Sequence, residues 1–264
     1  MAAGMGFYAW QIEPHWVEIV RHRLPIAGLP AELVGKRLVH LSDIHAGPRV
    51  DQTYPINSAE SIAELRPDMI VVTGDMMSCR DSENISKVLD VFNAMPAMLL
   101  GKFAVPGNHD YGQGWRQWRS VRELGERLER IDVRLLQNEV AEVEGLQIAG
   151  LDDLWAGHID PEGTLAELDP AAPTLALVHN PDAVDLPAWR SFQGWILAGH
   201  THGGQCKAPF FRPTILPVKN KRYVAGPYDL APGRNVYINR GLGHLEQVRF
   251  NCRPEITLFT LEQA

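Results

Sequence analysis

The sequence predicts an α/β domain with two packed sheets. Apolar, β-branched runs alternate with amphipathic stretches up to about residue 135, the pattern of βαβ units and a mainly parallel sheet. The second half adds further short apolar runs with turn signals between them. A chain of 264 residues, 45% of them hydrophobic, is long enough to bury one large core. No linker or internal repeat divides it. Residues 1–35 are expected to form an arm and an edge strand, packed on a single domain of residues 36–264.

The opening MAAGMGFYAWQIEPHWVEIV lacks the basic region of a signal peptide, and Glu13, His15 and Glu18 interrupt it well short of a membrane span. It reads as arm and edge strand. An interfacial anchor using Phe7, Tyr8, Trp10 and Trp16 is the alternative. The expected location is the cytoplasm, with peripheral contact on the inner membrane face as its extension. KRLVHLSDIH then reads as a strand entering a loop. In NSAESIAELR, Asn57 is the expected helix cap, with Ile62 and Leu65 on one face. PDMIVVTGD reads as a buried strand. SENISKVLDVFNAM spaces Ile85, Val88, Leu89 and Phe92 as a helix face. GKFAVPGNHD is a further strand, and WRQWRSVRELGERLERI a charged helix with Leu124, Leu128 and Ile131 inward. EVAEVEGLQIAGLDD reads as a hairpin around Glu144-Gly145. TLALVHNPD, GWILAGHTH, RNVYINRGLG and EITLFTLE complete the strands, and a Pro-rich loop begins at Cys206.

The net charge of −7 and the lack of a long basic stripe argue against a dedicated nucleic-acid partner. Cys79, Cys206 and Cys252 form no CxxC pair, so they read as reduced thiols and not as a disulfide or thiolate-zinc framework. Nothing in the sequence specifies an oligomer.

Polar residues gather where the apolar runs stop. These are Asp43 and His45, then Asp75, then Asn108, His109 and Asp110, then His179, then His200 and His202. Singly, each reads as a turn or a hydrogen-bonded cap. Jointly they point to one site, because ligands collect outside the carboxyl ends of strands in α/β sheets. His15, His22, His40, His158 and His244 fall outside the pattern and read as structural.

The ordered motifs D-x-H, G-D, G-N-H-D, H and G-H-T-H resemble those of the calcineurin-like metallophosphoesterase superfamily. The C-terminal YVAGPYDLAPGRNVYINRGLG and VRFNCRPEITLFTL look like its bacterial phosphodiesterase branch, which includes UDP-diacylglucosamine pyrophosphatases. The resemblance covers most of the chain beyond the first thirty or so residues. It implies an αββα sandwich, two mixed sheets flanked by helices, with a di-metal site at the strands' carboxyl ends. It implies that Asp43, His45, Asp75 and His202 surround one metal and that Asp75, Asn108, His179 and His200 surround the other. Asp75 is then the bridge, a role that two carboxylate oxygens suit. Imidazole and carboxylate together favour two borderline divalent ions, Mn²⁺ first, with Fe, Zn²⁺ or Mg²⁺ as alternatives. The implied reaction is hydrolysis of a phosphodiester or pyrophosphate by a metal-bridging hydroxide. His109 is the catalytic candidate, as general acid or transition-state stabiliser.

One departure concerns the position three residues after Asp75. Many relatives carry an acid there to orient the catalytic histidine; here it is Ser78, a weaker and neutral partner, so either Asp110 or another carboxylate substitutes or His109 is less basic than usual. Gly203 and Gly204 are expected to leave room for a phosphoryl group. Trp115, Arg116 and Arg119, in YGQGWRQWRS, either begin an amphipathic helix or bind substrate. Phe210, Phe211 and Arg212 lie in CKAPFFRPTILPVKNKR. That segment is either a loop folded on the core or an apolar, basic lip for an amphipathic substrate. The expected partner is a phosphorylated small molecule or a lipid-linked nucleotide such as UDP-diacylglucosamine of lipid A synthesis, with peripheral membrane contact. The alternatives are a nuclease or cyclic-nucleotide phosphodiesterase, and a non-catalytic metal-stabilised scaffold.

Overall fold

The β-branched runs pair into two six-stranded sheets in a computed structural model that describes residues 2–78 and 82–264. The first sheet holds β1 (Glu18–Ile26), β2 (Arg37–Leu41), β3 (Met69–Thr73), β4 (Lys102–Val105), β5 (Val133–Leu135) and the last strand β12 (Glu255–Gln263), in the order β1-β12-β2-β3-β4-β5. The second holds β6 (Glu139–Val143), β7 (Leu146–Gly150), β8 (Thr174–Leu177), β9 (Gly194–Ala198), β10 (Gly226–Ala231) and β11 (Arg234–Ile238), in the order β10-β11-β9-β8-β7-β6. Both sheets are mixed. Strands β2 to β5 run parallel to one another, as do β7, β8, β9 and β11. Each parallel set therefore sends all its carboxyl ends to one edge of its sheet.

Period-two alternation sorts the side chains into layers. Leu38, Val71 and Phe103 from the first sheet meet Ile148, Leu175 and Leu197 from the second in a core between the sheets. Val39, Ile70, Val72 and Ala104 point the other way, into a core shared with Ala59, Val88 and Leu124. Those three lie on the outer helices α2 (Thr53–Ser61), α3 (Ser82–Ala94) and α4 (Trp118–Glu129). Beyond the second sheet, Ala176 and Ile196 pack on Val184 and Trp189 from short 3₁₀ turns, with Leu165 of α5 (Pro161–Ala166) beside them. The result is the expected αββα sandwich. A strand covered on both sides must be apolar throughout, and every residue of β3 is buried.

Some local expectations need correction. Asn57 does not cap its helix: α2 begins four residues earlier at Thr53, whose N–H donates to Asp51 Oδ1 at 3.0 Å. Pro55 disguised that start, yet it sits in the first turn, where a missing N–H costs nothing. Helix α4 begins at Trp118 and not at Trp115, because Gly114 and Trp115 both adopt left-handed backbone. The hairpin turn is as expected, with Glu144 and Gly145 at φ 47 and 79. Strand β1 lies at the sheet edge and is preceded by helix α1 (Ala2–Phe7). Cys252 is buried and Cys206 exposed, both as free thiols; Cys79 lies outside the described residues. Among the described residues, no helix is long and apolar enough to cross a membrane.

Candidate metal centre

The loop after β2 carries Asp43 and His45, the loop after β3 carries Asp75, and the loop after β4 carries Asn108 and His109. From the second sheet, β8 delivers His179, and β9 delivers His200 and His202. All the candidate ligands are buried. Asp43, His45 and His202 converge as one group of potential ligand atoms, and Asp75, His179 and His200 as another. In the first group, Nε2 of His202 lies 3.2 Å from Asp43 Oδ1 and 3.1 Å from Nε2 of His45. In the second, Nε2 of His179 lies 3.0 Å from Nδ1 of His200. One oxygen, Asp75 Oδ2, faces both groups, 3.7 Å from His45 Nε2 and 3.2 Å from His179 Nε2.

The backbone shows how these contacts are imposed. Asp43, His45, Asp75, His200 and His202 all adopt left-handed φ, between 49° and 69°. Such conformations cost non-glycine residues about 1–3 kcal/mol each and persist only where the surroundings over-determine them. They do so here. Asp43 N–H donates to Gly74 O and His45 N–H to Asp75 O, each at 3.0 Å, so the two loops continue the β2–β3 ladder. Asp43 Oδ2 accepts from Ser42 Oγ at 2.6 Å and from His200 N–H at 2.9 Å. Asp75 Oδ1 accepts His109 N–H at 2.8 Å. Gly107 lies against that carboxylate, where an added Cβ would sit 2.3 Å from Oδ1. Because His200 and His202 are left-handed and not extended, a two-residue spacing sends them to different groups. Thr201 turns away and donates to Val224 O at 2.6 Å.

The donor set fits cations. His179 Nδ1 faces the carbonyl of Thr73 at 2.8 Å, an acceptor only, so Nδ1 carries a proton and Nε2 is the ring atom turned to Asp75 and His200. Asp43 Oδ1 and Asn108 Oδ1 are buried with no hydrogen-bond partner. Buried oxygens left unsatisfied beside converging imidazoles are what a divalent cation resolves. Burial pushes His45 below its ordinary value, and burial with the His179 charge pushes His200 down to about 3, so both favour the neutral, ligating form. Burial raises Asp75, but His179, His109 and His45 outweigh it and hold the carboxyl well below its ordinary range. His179 is opposed by burial and pulled well above its ordinary value by Asp75.

A cavity of about 670 Å³ opens over these residues. His109 lines it, with its ring 5.2 Å from that of His45 and 6.4 Å from Trp115. Trp115 belongs to the wall, and lies tilted against Trp155 with ring centroids 5.1 Å apart. Trp155 sets its edge against His200 at 4.4 Å. Ile215, Leu216, Pro217 and Leu245 form the facing wall.

Other expected site residues lie elsewhere. Arg116 and Arg119 are exposed and do not line the cavity; the Arg119 guanidinium lies 5.6 Å from the Trp118 ring on the outer helix face. Phe210, Phe211 and Arg212 are exposed beyond the rim. Ser78 Oγ donates to the His45 carbonyl at 2.9 Å, and so holds the loop. Asp110 is likewise engaged by the N–H groups of Met77 and Gly107, at 3.0 and 2.8 Å. Burial and Asp75 together push it up to about 8. Gly203 and Gly204 make room for this chain's own packing. An added Cβ would meet Cys252 Sγ at 2.6 Å and Pro213 at 2.2 Å, respectively.

Two strand ends escaped the sequence reading. After β7 come buried Asp153, which burial pushes up to about 6, and the wall residue Trp155. After β11 come Asn239 and Arg240. Asn239 donates to Thr257 Oγ1 at 2.9 Å, and Arg240 pairs with Glu255 and Glu18 at 2.5 and 2.8 Å. The signal was present, since polar residues follow apolar runs in GLDDLW and INRGLG as they do at the other ends.

Residues 36–204 match the family described as calcineurin-like phosphoesterase. The uncharacterized metallophosphoesterase YkuE of Bacillus subtilis is 35% identical, over 99% of this chain and 92% of its own. The phosphodiesterase YaeI of Escherichia coli is 33% identical, over 99% of this chain and 94% of its own. The UDP-2,3-diacylglucosamine pyrophosphatase LpxG of Chlamydia trachomatis is 27% identical, over 98% and 94%.

Proposed function

The chain belongs to the calcineurin-like phosphoesterase family and is a metal-dependent phosphoesterase, and we propose that it hydrolyses a phosphodiester or pyrophosphate joined to an apolar, lipid-linked group. The carrying observation is the cavity, in which polar ligand atoms form the floor and Trp115, Trp155, Ile215, Leu216 and Leu245 supply apolar walls. A lipid-linked nucleotide such as UDP-diacylglucosamine combines both chemistries, and LpxG bears that substrate in its name. In this reading residues 1–35 serve as an arm packed on the domain of residues 36–264.

Asp43, His45, Asp75 and His202 would hold one cation, and Asp75, Asn108, His179 and His200 the other, with Mn²⁺ the first choice among Fe, Zn²⁺ and Mg²⁺. Two bound cations supply charge neutralisation at a phosphoryl group and an acidified water. The chain's own residues do the rest. His109 faces the cavity and donates a proton to the departing oxygen. Its backbone N–H fixes Asp75 Oδ1, which leaves Oδ2 to face both groups. Trp155 shields His200 from water and gives an apolar group a surface to lie on.

Nuclease action fits less well. Among the described residues, no lysine or arginine lines the cavity. A Mn²⁺ turnover panel separates the readings by comparing UDP-diacylglucosamine, a chromogenic diester, cyclic nucleotides and single-stranded DNA. Preference for the lipid nucleotide by about a hundredfold or more in kcat/KM is expected. Equal or better turnover of a cyclic nucleotide or DNA contradicts the lipid-linked assignment.

A further inference from the structure

The helix that precedes β1 and the Pro-rich loop after β9 lie about 200 residues apart in sequence, yet one segment joins them at the surface. On one side of residues 246–250, Arg249 N–H donates to Ala9 O and Gln247 Nε2 to Trp10 O, each at 2.9 Å. On the other side, Lys207 N–H donates to Phe250 O at 3.0 Å, and Phe250 N–H to Gln205 O at 2.9 Å. The two outer strips expose large apolar side chains. Phe7 and Trp10 are 58% and 54% exposed on the first strip; Phe210, Phe211 and Ile215 are 106%, 74% and 83% exposed on the second. A soluble surface rarely gathers so many. Phe210 is also held at φ 68, a conformation that a bulky residue seldom adopts.

Within the second strip the segment's own charge is one-sided, and the acids that meet it, Asp182 and Asp185, lie at its far end against Lys219 and Asn220. From Lys207 to Tyr228 the chain carries Lys207, Arg212, Lys219, Lys221 and Arg222 and no acid, in a protein of net charge −7. Residues 2–12 carry no charged side chain. Glu13 is buried, and Glu246 at the rim is paired with Arg49 at 2.5 Å. Arg253 lies 4.1 Å over the ring of Trp16 at the end of the first strip. Apolar side chains rimmed by cations on an otherwise acidic protein complement an anionic lipid surface.

We infer that residues 5–16 and 207–222 form one docking face for an anionic lipid bilayer, set beside the mouth of the catalytic cavity. Ile215 belongs both to this face and to the cavity wall, as Leu245 and Glu246 connect the wall to the joining segment. The face delivers the mouth to the bilayer surface, where an amphipathic substrate keeps its phosphoryl group in the headgroup layer. Docking stands apart from the proposed substrate, because binding to lipid requires no turnover.

The test is co-sedimentation of the full chain with vesicles of phosphatidylglycerol and phosphatidylethanolamine, against vesicles of phosphatidylcholine alone. Binding to the anionic vesicles is expected to be about tenfold tighter or more, and to weaken in high salt. Phe210→Ser with Phe211→Ser, and separately Phe7→Ser with Trp10→Ser, should each weaken it about tenfold. Unchanged melting temperatures confirm that these exposed substitutions leave the fold intact. Equal binding to both vesicle types, no sedimentation with either, or undiminished binding by either variant overturns the inference. A chain that binds vesicles but spares UDP-diacylglucosamine retains the docking face and loses the substrate assignment. One that cleaves it without binding vesicles does the reverse.

Discussion

Asp43, His45 and Asp75 are buried at adjacent strand ends, in left-handed backbone fixed by the neighbouring strand, whereas Phe210 and Ile215 stand in solvent on the loop that rims the same cavity. A di-metal site works only if its ligand atoms are placed within about 0.5 Å, which demands rigid elements and a supporting shell. Selection of a substrate tolerates a looser frame, and the mouth of the cavity is built from turns and a loop without helix or strand. Under the proposed function, reaction type belongs to the strand ends and substrate preference to the mouth. Perturbing the two regions should give different kinds of failure.

The largest effect is expected at the shared carboxylate. Asp75→Asn removes charge from both groups while preserving shape. Loss of several kcal/mol of charge stabilisation corresponds to roughly a thousandfold in turnover. Elemental analysis should find fewer than two metal equivalents; full occupancy would refute the bridging role. Next comes His109→Ala, which should cost about a hundredfold in kcat with both metals retained. The loss should grow on substrates with poor leaving groups, and a uniform loss across leaving groups would argue against proton donation. The mouth should respond differently. Trp155→Ala is expected to raise KM for a lipid-linked substrate by about tenfold with kcat changed far less. A kcat-dominated loss would place Trp155 with the chemistry.

The smallest effect separates the regions by pH. His40 is buried beneath the site against Thr73 Oγ1, and burial, opposed by Asp43, pushes it from 6.5 down to about 3. The unfolded chain binds this proton more readily, so the stability linked to His40 is complete above 6.5 and is lost as pH falls below it. Between pH 7 and 5 the wild type should lose up to about 2 kcal/mol relative to His40→Gln. Phe211→Ser, on the mouth side, should track the wild type throughout. Chemical denaturation at the two pH values reads both comparisons, and parallel curves for wild type and His40→Gln would remove His40 from the balance.

Legibility in the sequence follows the same division. The convergence of Asp43, His45, Asp75, His179, His200 and His202 was legible because an apolar run must end somewhere, and polar residues at successive ends, most of them near glycine or proline, are a local pattern that repeats. Arg116 and Arg119 are exposed, as the helix alternative for that stretch expects, because a charged residue near a motif need not face the same way; the left-handed turn at Gly114 and Trp115 leads from the cavity wall to an outward helix. Asp110 and Ser78 support the loops through backbone N–H and carbonyl groups, contacts that no spacing rule encodes. Trp155 and Arg240 followed the strand-end pattern but carried no motif to draw attention to them. Strands β5 and β10 were missed because three residues, or an alternating edge after a proline-rich loop, give little periodicity to read.

A two-cation centre built from strand ends is tested most directly by a metal titration. Protein stripped by chelator is given Mn²⁺ in sub-stoichiometric steps, and bound metal and turnover of a chromogenic diester are followed together. Binding that saturates at two equivalents per chain, with turnover rising to its plateau only as the second is filled, is the predicted result. Saturation at one equivalent, or full turnover in the stripped protein, would contradict it.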